Sequence, residues 1–570
     1  MNMLSPEGMT VLKARYLQKN ETPEAMFWRV ANYVAQAEEL FGQDTAVTAA
    51  KYYELLSGLN FLPNSPTLMN AGKPQAQMAA CFVLPIEDSL GGIFDTLKNA
   101  ALIHQSGGGT GFSFSRLRPK GDQVATTAGT AGGPVSFLRI FDVATEVVKQ
   151  GAVRSGANMA ILRVDHPDIM EFITAKRQQN ILNNFNLSVG ITDDFMAAVV
   201  GDTAFELINP RNKQVVQAVQ AQQVFAQLVE MAWENGEPGL FFLDSVNRAN
   251  PTPQLGMFES PNPCSEQPLL PYESCTLGSI QLGRMLAIKG KKREIDYARL
   301  RQTVRTAVRF LDNVVEINAY PLTVVADATR LTRKIGLGIM GLADVLIMLD
   351  LPYASKSAVE LTSRLMRFIT SEARVMSMEL AQERGSFPAF DRSIFAGQGI
   401  GALRNATMTT IAPTGSISMI ANCSSGIEPL FALAFTRHVL DGRELTSTNP
   451  VVLTYLEERG LLTAEVLSII NSQGSVREAD LPLVVKSVLA TAHEIAPFWH
   501  VAQLAAAQRY TDNGVSKTVN MPHDALLADV ARIFQQAYTS GCKGVTVYRD
   551  SSRHCQVLTH GTVHCAECEL

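Results

Sequence analysis

The first part of the chain carries apolar residues at the spacing of amphipathic helices. They recur every three to four positions through residues 25–40 and 46–59, which predicts two helices there. Three prolines then interrupt the pattern, at Pro63, Pro66 and Pro74. The chain therefore begins with a helical region that ends near the last of these prolines.

A different pattern follows, in which short apolar runs alternate with segments of helical spacing. Residues 81–84 and 185–191 are such runs, and residues 135–149 and 221–234 show the helical spacing. This alternation is typical of stacked α/β layers. No fixed-period repeat or low-complexity linker divides the sequence of this region, so it is predicted to be one continuous fold.

Three regions follow from these patterns. We predict a helical N-terminal region at 1–75, an α/β domain at 76–548 and a flexible polar tail at 549–570. The tail shows neither helical nor strand periodicity in its last fifteen residues.

Composition excludes several classes of protein. Of the 570 residues, 46% are apolar and 18% are charged, which indicates a large core and argues against disorder. The formal net charge is −5 and the sequence has no long Lys/Arg block, so no nucleic-acid partner is expected. Eight cysteines are too few for a secreted disulfide scaffold of this length.

The sequence predicts neither a signal peptide nor a membrane span. Residues 1–21 are mixed and polar, without an apolar signal core. The most apolar stretch, 335–351, contains Asp344 and Asp350, which would be costly in lipid, and we interpret it as a buried core helix. We expect a cytoplasmic protein, away from membranes, with reduced cysteines.

One cysteine lies in a segment with the character of a reaction centre. Cys264 belongs to the segment Ser-Pro-Asn-Pro-Cys-Ser-Glu at 260–266, where two prolines favour a tight loop over a regular helix or central strand. Asn262, Cys264 and Glu266 occupy alternate positions, so their side chains are predicted to point to one side. Glu266 would act as a base and Asn262 as a hydrogen-bond partner. An ordinary surface loop remains the alternative at this point.

Four other cysteines have informative surroundings. Cys275 follows eleven residues after Cys264, and Cys81 begins a predicted strand. Cys565 and Cys568 form a Cys-x-x-Cys pair near the end of the chain, which fits either thiol–disulfide exchange or zinc binding. A zinc site would need further ligands, and the candidates are His554, Cys555, His560 and His564.

Three glycine-containing segments are candidate ligand contacts. Residues 411–419 combine a proline, a glycine and hydroxyl side chains, which suits an anion site or a plain helix cap. Residues 106–111 are rich in glycine but match neither a phosphate loop nor a dinucleotide fingerprint, so we expect the glycines to permit close approach of backbone or ligand. Residues 150–158 are predicted to be a mobile loop with Arg154 at its tip.

Taken together, these segments resemble the large catalytic subunit of ribonucleotide reductases. The motifs shared with that family, in the same order, lie at 63–69, 80–81, 87–90, 106–118, 260–266 and 413–418, with the paired tail cysteines at the end. Four further segments are similar to class II, the adenosylcobalamin-dependent branch, and lie at 158–168, 421–429, 510–517 and 542–549. The resemblance covers about residues 25 to 570. It implies a ten-stranded α/β barrel of two parallel five-stranded halves, with Cys264 on a central finger loop shielded from water.

The resemblance also implies a mechanism. A radical generated from adenosylcobalamin would pass to Cys264, whose thiyl radical abstracts the ribose 3′ hydrogen. Glu266 would take the 3′-hydroxyl proton and Asn262 would bind the substrate. Cys81 and Cys275 would supply two electrons and form a disulfide as water leaves the 2′ position. Cys565 and Cys568 would reduce that disulfide and be reduced in turn by thioredoxin or glutaredoxin.

Further roles carry over from the matching motifs. The resemblance implies a ribonucleotide substrate, which we expect to be a diphosphate, and no metal ligand is expected among the residues of the protein. The substrate site would comprise Thr67, Ala80, Cys81, Gly109, Asn262, Pro413, Thr414, Gly415, Ser416 and Ile417. A deoxynucleotide effector that selects the substrate base would bind at Asp88, Ser89, Leu90 and Arg118, with Arg154 on the loop that relays the choice. A homodimer is expected, because the effector site of this family commonly lies at a dimer interface.

Departures from the family pattern separate the alternatives. No ATP-binding regulatory module fits before residue 63, so control of overall activity by ATP or dATP is not expected. Tyr538 and Tyr548 stand apart rather than forming a relay pair, which favours an internal cofactor over a radical-generating subunit. The alternatives are a class I catalytic subunit and a catalytically inactive nucleotide-binding regulator on the same fold.

Overall fold

The structure is a computed structural model that describes residues 4–124, 129–149, 156–178, 180–290, 292–438 and 444–552. Helices α1 to α21 span, in chain order, Pro6–Arg15, Pro23–Ala35, Thr45–Ser57, Ser65–Asn70, Leu90–Gln105, Pro134–Lys149, Ile169–Ile173, Asp193–Gly201, Ala221–Asn235, Leu243–Arg248, Tyr297–Ile317, Thr323–Thr332, Leu342–Met348, Lys356–Arg384, Ile394–Gly397, Gly415–Ala421, Pro450–Glu457, Ala464–Gln473, Leu483–Val488, Pro497–Gln508 and Leu527–Thr539. Short 3₁₀ helices span Gln36–Phe41, Pro253–Leu255, Leu282–Met285 and Phe390–Arg392.

Strands β1 to β20 span, in the same order, Phe61–Pro63, Cys81–Pro85, Gly109–Ser113, Gln123–Val124, Gly129–Thr130, Asn158–Arg163, Phe185–Ile191, Ala204–Ile208, Val215–Gln220, Gly239–Phe242, Ser260–Pro261, Pro268–Leu269, Ser274–Gln281, Leu286–Lys289, Lys292–Ile295, Ile335–Met340, Ala434–His438, Glu444–Thr448, Thr518–Met521 and Gly544–Arg549.

The N-terminal helices form where the apolar spacing predicts them. Ser5, Thr22 and Asp44 cap α1, α2 and α3, each side chain accepting a hydrogen bond from a backbone N–H of the first turn. Helix α2 packs along α3 and continues into the 3₁₀ helix Gln36–Phe41. The two helices predicted at 25–40 and 46–59 are thereby confirmed.

Five parallel strands form one half of the central barrel. Their order is β2, β3, β6, β7 and β10, with each strand parallel to the next. Almost every residue of these strands is buried, as expected when both faces of a parallel sheet are covered. Helices connect successive strands, which is the usual crossover of parallel β structure.

A second parallel half closes the barrel. It contains β13, β16, the extended segment 407–411, a segment that runs from residue 513 into β19, and β20. Each of these is parallel to its neighbour. The halves meet where β13 lies antiparallel to β2 and where β20 lies antiparallel to β10. This ring of ten strands in two parallel halves confirms the predicted fold class.

The apolar stretch 335–351 differs from the sequence prediction. We interpreted it as one buried helix, but it forms strand β16, a turn at Gly341 and helix α13. Gly341 has φ of +83°, which ends the strand and begins the helix. A Cβ on Gly338 would lie 2.3 Å from the Thr410 carbonyl oxygen, so the strand assignment also follows from close backbone packing. Within the described residues, no helix has the length and apolarity needed to cross a bilayer.

A buried charge cluster joins the N-terminal region to the barrel domain. The carboxylate of Glu38 is fully buried and accepts hydrogen bonds from Arg309 at 2.6 Å, Arg384 at 2.8 Å and Asn313 at 2.8 Å. Burial alone would raise the pKa of Glu38, but the hydrogen bonds and the two guanidinium groups hold it below its ordinary value. Glu38 therefore neutralises two cations that α11 and α14 carry into the interface.

We expect Glu38→Ala to lower the free energy of unfolding by about 3–5 kcal/mol, because the buried Arg384 guanidinium loses a charge partner. Urea denaturation measures the change. Glu360→Ala is the matched control, since Glu360 is exposed and 3.9 Å from Lys356, and it should cost less than about 1 kcal/mol. Equal losses in the two variants would contradict the role assigned to Glu38.

Candidate active site

A hairpin inside the barrel carries the predicted reaction centre. Strands β11 and β12 pair antiparallel, and we call residues 260–269 the finger hairpin. At its tip the Asn262 and Gln267 backbones are joined by a 3.1 Å hydrogen bond, and Gln267 N–H also donates to Asn262 Oδ1 at 2.9 Å. Ser265 has φ of +66° and donates to the Asn262 carbonyl oxygen at 3.0 Å. The predicted tight loop is thereby confirmed.

Strands of both barrel halves surround the finger hairpin. From the first half, Asn186 on β7 donates its side-chain amide to the Pro263 carbonyl oxygen at 2.9 Å. From the second half, the Thr410 hydroxyl and the Gly514 N–H each donate to the Glu266 carbonyl oxygen at 2.8 Å. The hairpin tip is therefore fixed from opposite sides of the barrel, as a finger loop inside it.

Glycines of β3 make room for the finger hairpin. A Cβ on Gly111 would lie 1.8 Å from the Pro261 carbonyl oxygen, and one on Gly109 would lie 2.9 Å from the Pro263 side chain. Only glycine permits the first of these approaches. The close approach predicted for the glycines of 106–111 is confirmed, and its object is a neighbouring backbone.

Two cysteines face each other on adjacent barrel strands. Cys81 on β2 and Cys275 on β13 are register partners in the antiparallel pair that joins the barrel halves. Facing residues of such a pair have Cα atoms about 4.5–5.5 Å apart, which lies within the range that a disulfide spans. Both side chains are buried. The arrangement can form and release a disulfide without large movement of the strands.

The finger hairpin places two polar side chains on this cysteine pair. Asn262 Nδ2 lies 3.0 Å from Cys81 Sγ, and Cys81 Sγ lies 4.0 Å from Glu266 Oε1. Both Asn262 and Glu266 are only 2% exposed. An amide, a carboxylate and two thiols thus converge in a buried site, and burial strengthens acid–base and hydrogen-bond chemistry.

Cys264 lies at the tip between these two residues, but its environment differs from theirs. Its residue is exposed, whereas Asn262 and Glu266 are buried. The finger hairpin lies inside the barrel as the resemblance implies, but the expected shielding of Cys264 from water is not provided by the described residues. The left-handed backbone at Ser265 turns the tip, so the simple alternation of side chains assumed from the sequence does not extend through it.

A buried ion pair that no sequence pattern predicts lies beside Cys275. Lys334 Nζ and Glu273 Oε2 are 2.5 Å apart with side chains 0% and 2% exposed. Burial raises the pKa of Cys275 well above its ordinary value, and the positive charge of Lys334 opposes that shift. Glu273 stands two residues before Cys275, which is a weak signal. Lys334 is placed there only by the pairing of β13 with β16, for which the sequence has no local signal.

The residues implied to bind substrate lie on elements around this site. Thr67 is fully buried in α4, where its hydroxyl donates to Asn64 Oδ1 at 2.8 Å. Gly109 N–H donates to the Ala80 carbonyl oxygen at 2.9 Å, so these two residues join β3 to the start of β2. The remaining residues form the turn into α16, namely Pro413, Thr414, Gly415, Ser416 and Ile417.

That turn has an unusual backbone. Thr414 has φ of +60° at the start of α16, and its hydroxyl accepts a hydrogen bond from the Gly426 N–H at 2.8 Å. Gly415 is exposed and Ser416 is half-buried. The conformation leaves the Gly415 and Ser416 end of the turn accessible, and its use as a phosphate site stays a prediction.

The fold brings together four of the five residues implied to bind an effector, namely Asp88, Ser89, Leu90 and Arg118. Asp88 and Arg118 form a half-buried ion pair at 2.9 Å. Ser89 caps α5, whose first residue, Leu90, is 66% exposed. Arg154 lies outside the described residues, so its predicted relay role stays a prediction.

The tail cysteines Cys565 and Cys568, and Cys555, also lie outside the described residues. So do His554, His560 and His564, the alternative zinc ligands. Within the described part of the chain, no group of three or more His, Cys, Asp or Glu side chains could hold a metal ion. Cys542 is fully buried in the core, which accounts for it as a packing residue.

Comparisons with known proteins identify the family. The model described as "Ribonucleotide reductase, barrel domain" matches residues 79–400 and 396–548, and the one described as "Ribonucleotide reductase, all-alpha domain" matches residues 2–76. The chain belongs to the ribonucleotide reductase large-chain family.

Among its relatives are two proteins named "Vitamin B12-dependent ribonucleoside-diphosphate reductase". The protein from Thermoplasma acidophilum is 47% identical, covering 98% of this chain and 80% of the relative. The protein from Mycobacterium tuberculosis H37Rv is 49% identical, covering 98% of this chain and 79% of the relative.

A solved structure shares the fold. The Actinobacillus ureae class Id ribonucleotide reductase alpha subunit superposes with a TM-score of 0.78 at 24% identity, over 97% of this chain and 98% of that one. At this identity the likeness concerns the fold, and it agrees with the barrel described above.

Proposed function

We propose that the protein is a vitamin B12-dependent ribonucleotide reductase that converts ribonucleoside diphosphates to 2′-deoxyribonucleotides. One observation carries the proposal. The finger hairpin that bears Cys264 sets the Asn262 amide and the Glu266 carboxylate against Cys81, which faces Cys275 across two barrel strands. The names of the 47–49% identical relatives point to vitamin B12 as the cofactor and to a ribonucleoside diphosphate as the substrate.

Each protein group has a distinct task in this proposal. Cys264 abstracts the ribose 3′ hydrogen as a thiyl radical, and Glu266 accepts the 3′-hydroxyl proton; both are returned to the sugar after the 2′ hydroxyl has left. Asn262 orients the substrate through its amide. Cys81 and Cys275 together supply two electrons and two protons as the 2′ hydroxyl leaves as water, and they become a disulfide.

The surroundings of Cys264 fit a bulky cofactor. Cys264 is exposed at the hairpin tip, whereas Asn262 and Glu266 on either side of it are buried, so a large group can reach this thiol. We propose the adenosyl form of vitamin B12, which when bound supplies a carbon-centred radical. The corrin would then complete the shielding of Cys264 that the chain alone does not provide.

Substrate, effector and partners are assigned from the matching motifs. We propose that the turn at Pro413–Ile417 holds the substrate phosphates and that Thr67, Ala80 and Gly109 line the ribose and base. A deoxynucleotide effector would bind near the Asp88–Arg118 ion pair. The tail dithiol would reduce the Cys81–Cys275 disulfide and would itself be reduced by thioredoxin or glutaredoxin in the cytoplasm.

A homodimer is supported by an exposed apolar face on two packed helices. Three apolar residues of α5 and three of α6 are more than 40% exposed. They are Leu90, Phe94, Leu102, Ile140, Val143 and Val147. The α6 residues recur at helical spacing and so share one side of the helix. We propose that a second copy of the chain covers this face, next to the effector residues at the start of α5.

Turnover by the purified chain tests the proposed function. With adenosylcobalamin, a dithiol reductant and a ribonucleoside diphosphate, and with no second subunit, we expect formation of the 2′-deoxyribonucleoside diphosphate. Omission of the cofactor is the control and should abolish the product. Product formed only when a separate radical-generating subunit is added would instead show a class I enzyme. Nucleotide binding without turnover in either assay would show an inactive regulator.

A further inference from the structure

A buried lysine lies close to the finger hairpin, in a motif that the proposed chemistry does not use. Lys543 directly precedes β20 and is only 7% exposed. Its ammonium donates hydrogen bonds to the Asp512 carbonyl oxygen at 2.5 Å and to the Asn513 carbonyl oxygen at 2.9 Å. Because moving an ammonium out of water is costly, a lysine at this position indicates a role beyond filling space.

The two carbonyl groups that bind Lys543 belong to a bend in the chain. Residues 512–513 form this bend after α20, before the chain runs on into β19. Successive carbonyl groups of an extended strand point in opposite directions, so a single ammonium could not bind both. At the bend they turn to the same side, and Lys543 supplies the donors that a neighbouring strand would otherwise supply. The Gln508 amide is a further donor to the Asn513 carbonyl oxygen, at 2.8 Å.

The bend contacts the tip of the finger hairpin through Gly514. The Gly514 N–H donates to the Glu266 carbonyl oxygen at 2.8 Å. A Cβ on Gly514 would lie 2.6 Å from the Ser265 carbonyl oxygen and 3.1 Å from Glu266 Cα, so only glycine allows this approach. The backbone that follows the bend therefore packs directly against the peptide group that joins Ser265 to Glu266.

A second buried lysine in the same segment has a different kind of partner. Lys517 Nζ lies 2.5 Å from Glu428 Oε2, so a carboxylate compensates its charge. The acceptors of the Lys543 ammonium are instead neutral carbonyl groups. Burial lowers the pKa of Lys543 to about 8, and the nearby Asp512 carboxylate opposes this shift. At neutral pH the side chain is therefore still mainly an ammonium, with all three N–H donors.

We propose that Lys543 is a positioning residue for the finger hairpin. Its ammonium holds the bend at 512–513, and the bend holds the Ser265–Glu266 peptide group through Gly514. Cys264 and Glu266 lie on either side of Ser265, so the bend places both of them together. The anchoring is independent of the reaction, whereas its effect on turnover rests on the roles proposed for Cys264 and Glu266.

Hydrogen–deuterium exchange tests the anchoring directly. The full-length variant Lys543→Met keeps most of the side-chain volume but has no donor for the bend. We expect the amides of residues 260–269 and of Gly514 to exchange at least about fivefold faster than in the parent, because the bend that fixes them is released.

Lys517→Met is the matched control for this measurement. It also removes a buried ammonium, but the partners of Lys517 are Glu428, His500 and Thr518, outside both the bend and the finger hairpin. Exchange of residues 260–269 in this control should stay within about twofold of the parent. Unchanged exchange in Lys543→Met, or equal acceleration in the two variants, would overturn the proposal.

Kinetics separate positioning from a general loss of structure. Lys543→Met should lower the turnover number at least about tenfold and leave KM for the ribonucleoside diphosphate within about twofold, because the contacts of Lys543 lie at the bend. Oxidation with diamide should still link Cys81 to Cys275, since β2 and β13 hold these cysteines without the bend. Faster hairpin exchange with an unchanged turnover number would refute the positioning role.

A second variant covers the case in which Lys543→Met fails to fold. Lys543→Gln keeps an N–H donor but has a shorter side chain and no charge, so hairpin exchange should rise by a smaller factor of about threefold. Unchanged exchange in this folded variant would contradict the proposal equally. The exchange measurement needs neither cofactor nor nucleotide. Absence of turnover in the parent would therefore overturn only the proposed function, and unchanged exchange in the Lys543 variants would overturn only the anchoring.

Discussion

Cys264→Ser abolishes ribonucleotide reduction and leaves nucleotide binding unchanged, if the assignment of the radical site is correct. A serine hydroxyl holds its hydrogen far more strongly than a thiol does, so the variant cannot carry the radical. The serine side chain is similar in shape, and residue 264 is exposed at the hairpin tip, so the fold has little reason to change. We expect the turnover number to fall by at least about 10⁴-fold, which corresponds to more than about 5 kcal/mol in the barrier.

Two measurements test the prediction for Cys264→Ser. Turnover is followed by product formation, and substrate affinity by equilibrium binding to the same preparation. Cys423→Ser is the control, since Cys423 lies outside the finger hairpin and the facing pair, and its activity should stay within about twofold of the parent. Residual turnover of Cys264→Ser above about one per cent would show that another group carries the radical.

The resemblance implied the ten-stranded barrel, whereas the local patterns of the chain predicted only parts of it. The helical spacing at 25–40 and 46–59, the loop at 260–266 and the glycines of 106–111 each determine structure within a few residues. The stretch 335–351 was misassigned for the opposite reason. A short apolar run fits a strand or a helix equally well, and the choice depends on Gly338 meeting the Thr410 backbone some seventy residues later.

Burial and long-range pairing account for what the sequence did not reveal at the site. Cys81 and Cys275 were implied as a pair by resemblance, and the β2–β13 register is what brings them face to face. Lys334 reaches Cys275 through the β13–β16 pairing, and no spacing along the chain signals that contact. The exposure of Cys264 depends on the turn at Ser265, where the backbone is left-handed although the residue is not glycine.

Gly111→Ala should disable the enzyme without touching any reacting group. The added methyl group would lie 1.8 Å from the Pro261 carbonyl oxygen, where no flexible side chain can move aside. Either β3 or the finger hairpin must shift, and such overpacking costs about 1–3 kcal/mol of stability or more. Because the hairpin tip positions Cys264, Asn262 and Glu266 together, a shift of about 1 Å should lower turnover by about a hundredfold.

A matched glycine separates this steric effect from the general effect of adding a methyl group. A Cβ on Gly401 meets no atom within 4 Å, so Gly401→Ala should retain full turnover and stability. Thermal unfolding and turnover are measured for both variants, and the diamide-formed Cys81–Cys275 disulfide reports whether the facing pair itself is intact. That disulfide should still form in Gly111→Ala, since β2 and β13 hold the two cysteines without the finger hairpin. Normal turnover in Gly111→Ala would mean that the hairpin position is not what sets the reactive geometry, because a methyl group at this distance forces the backbone to move.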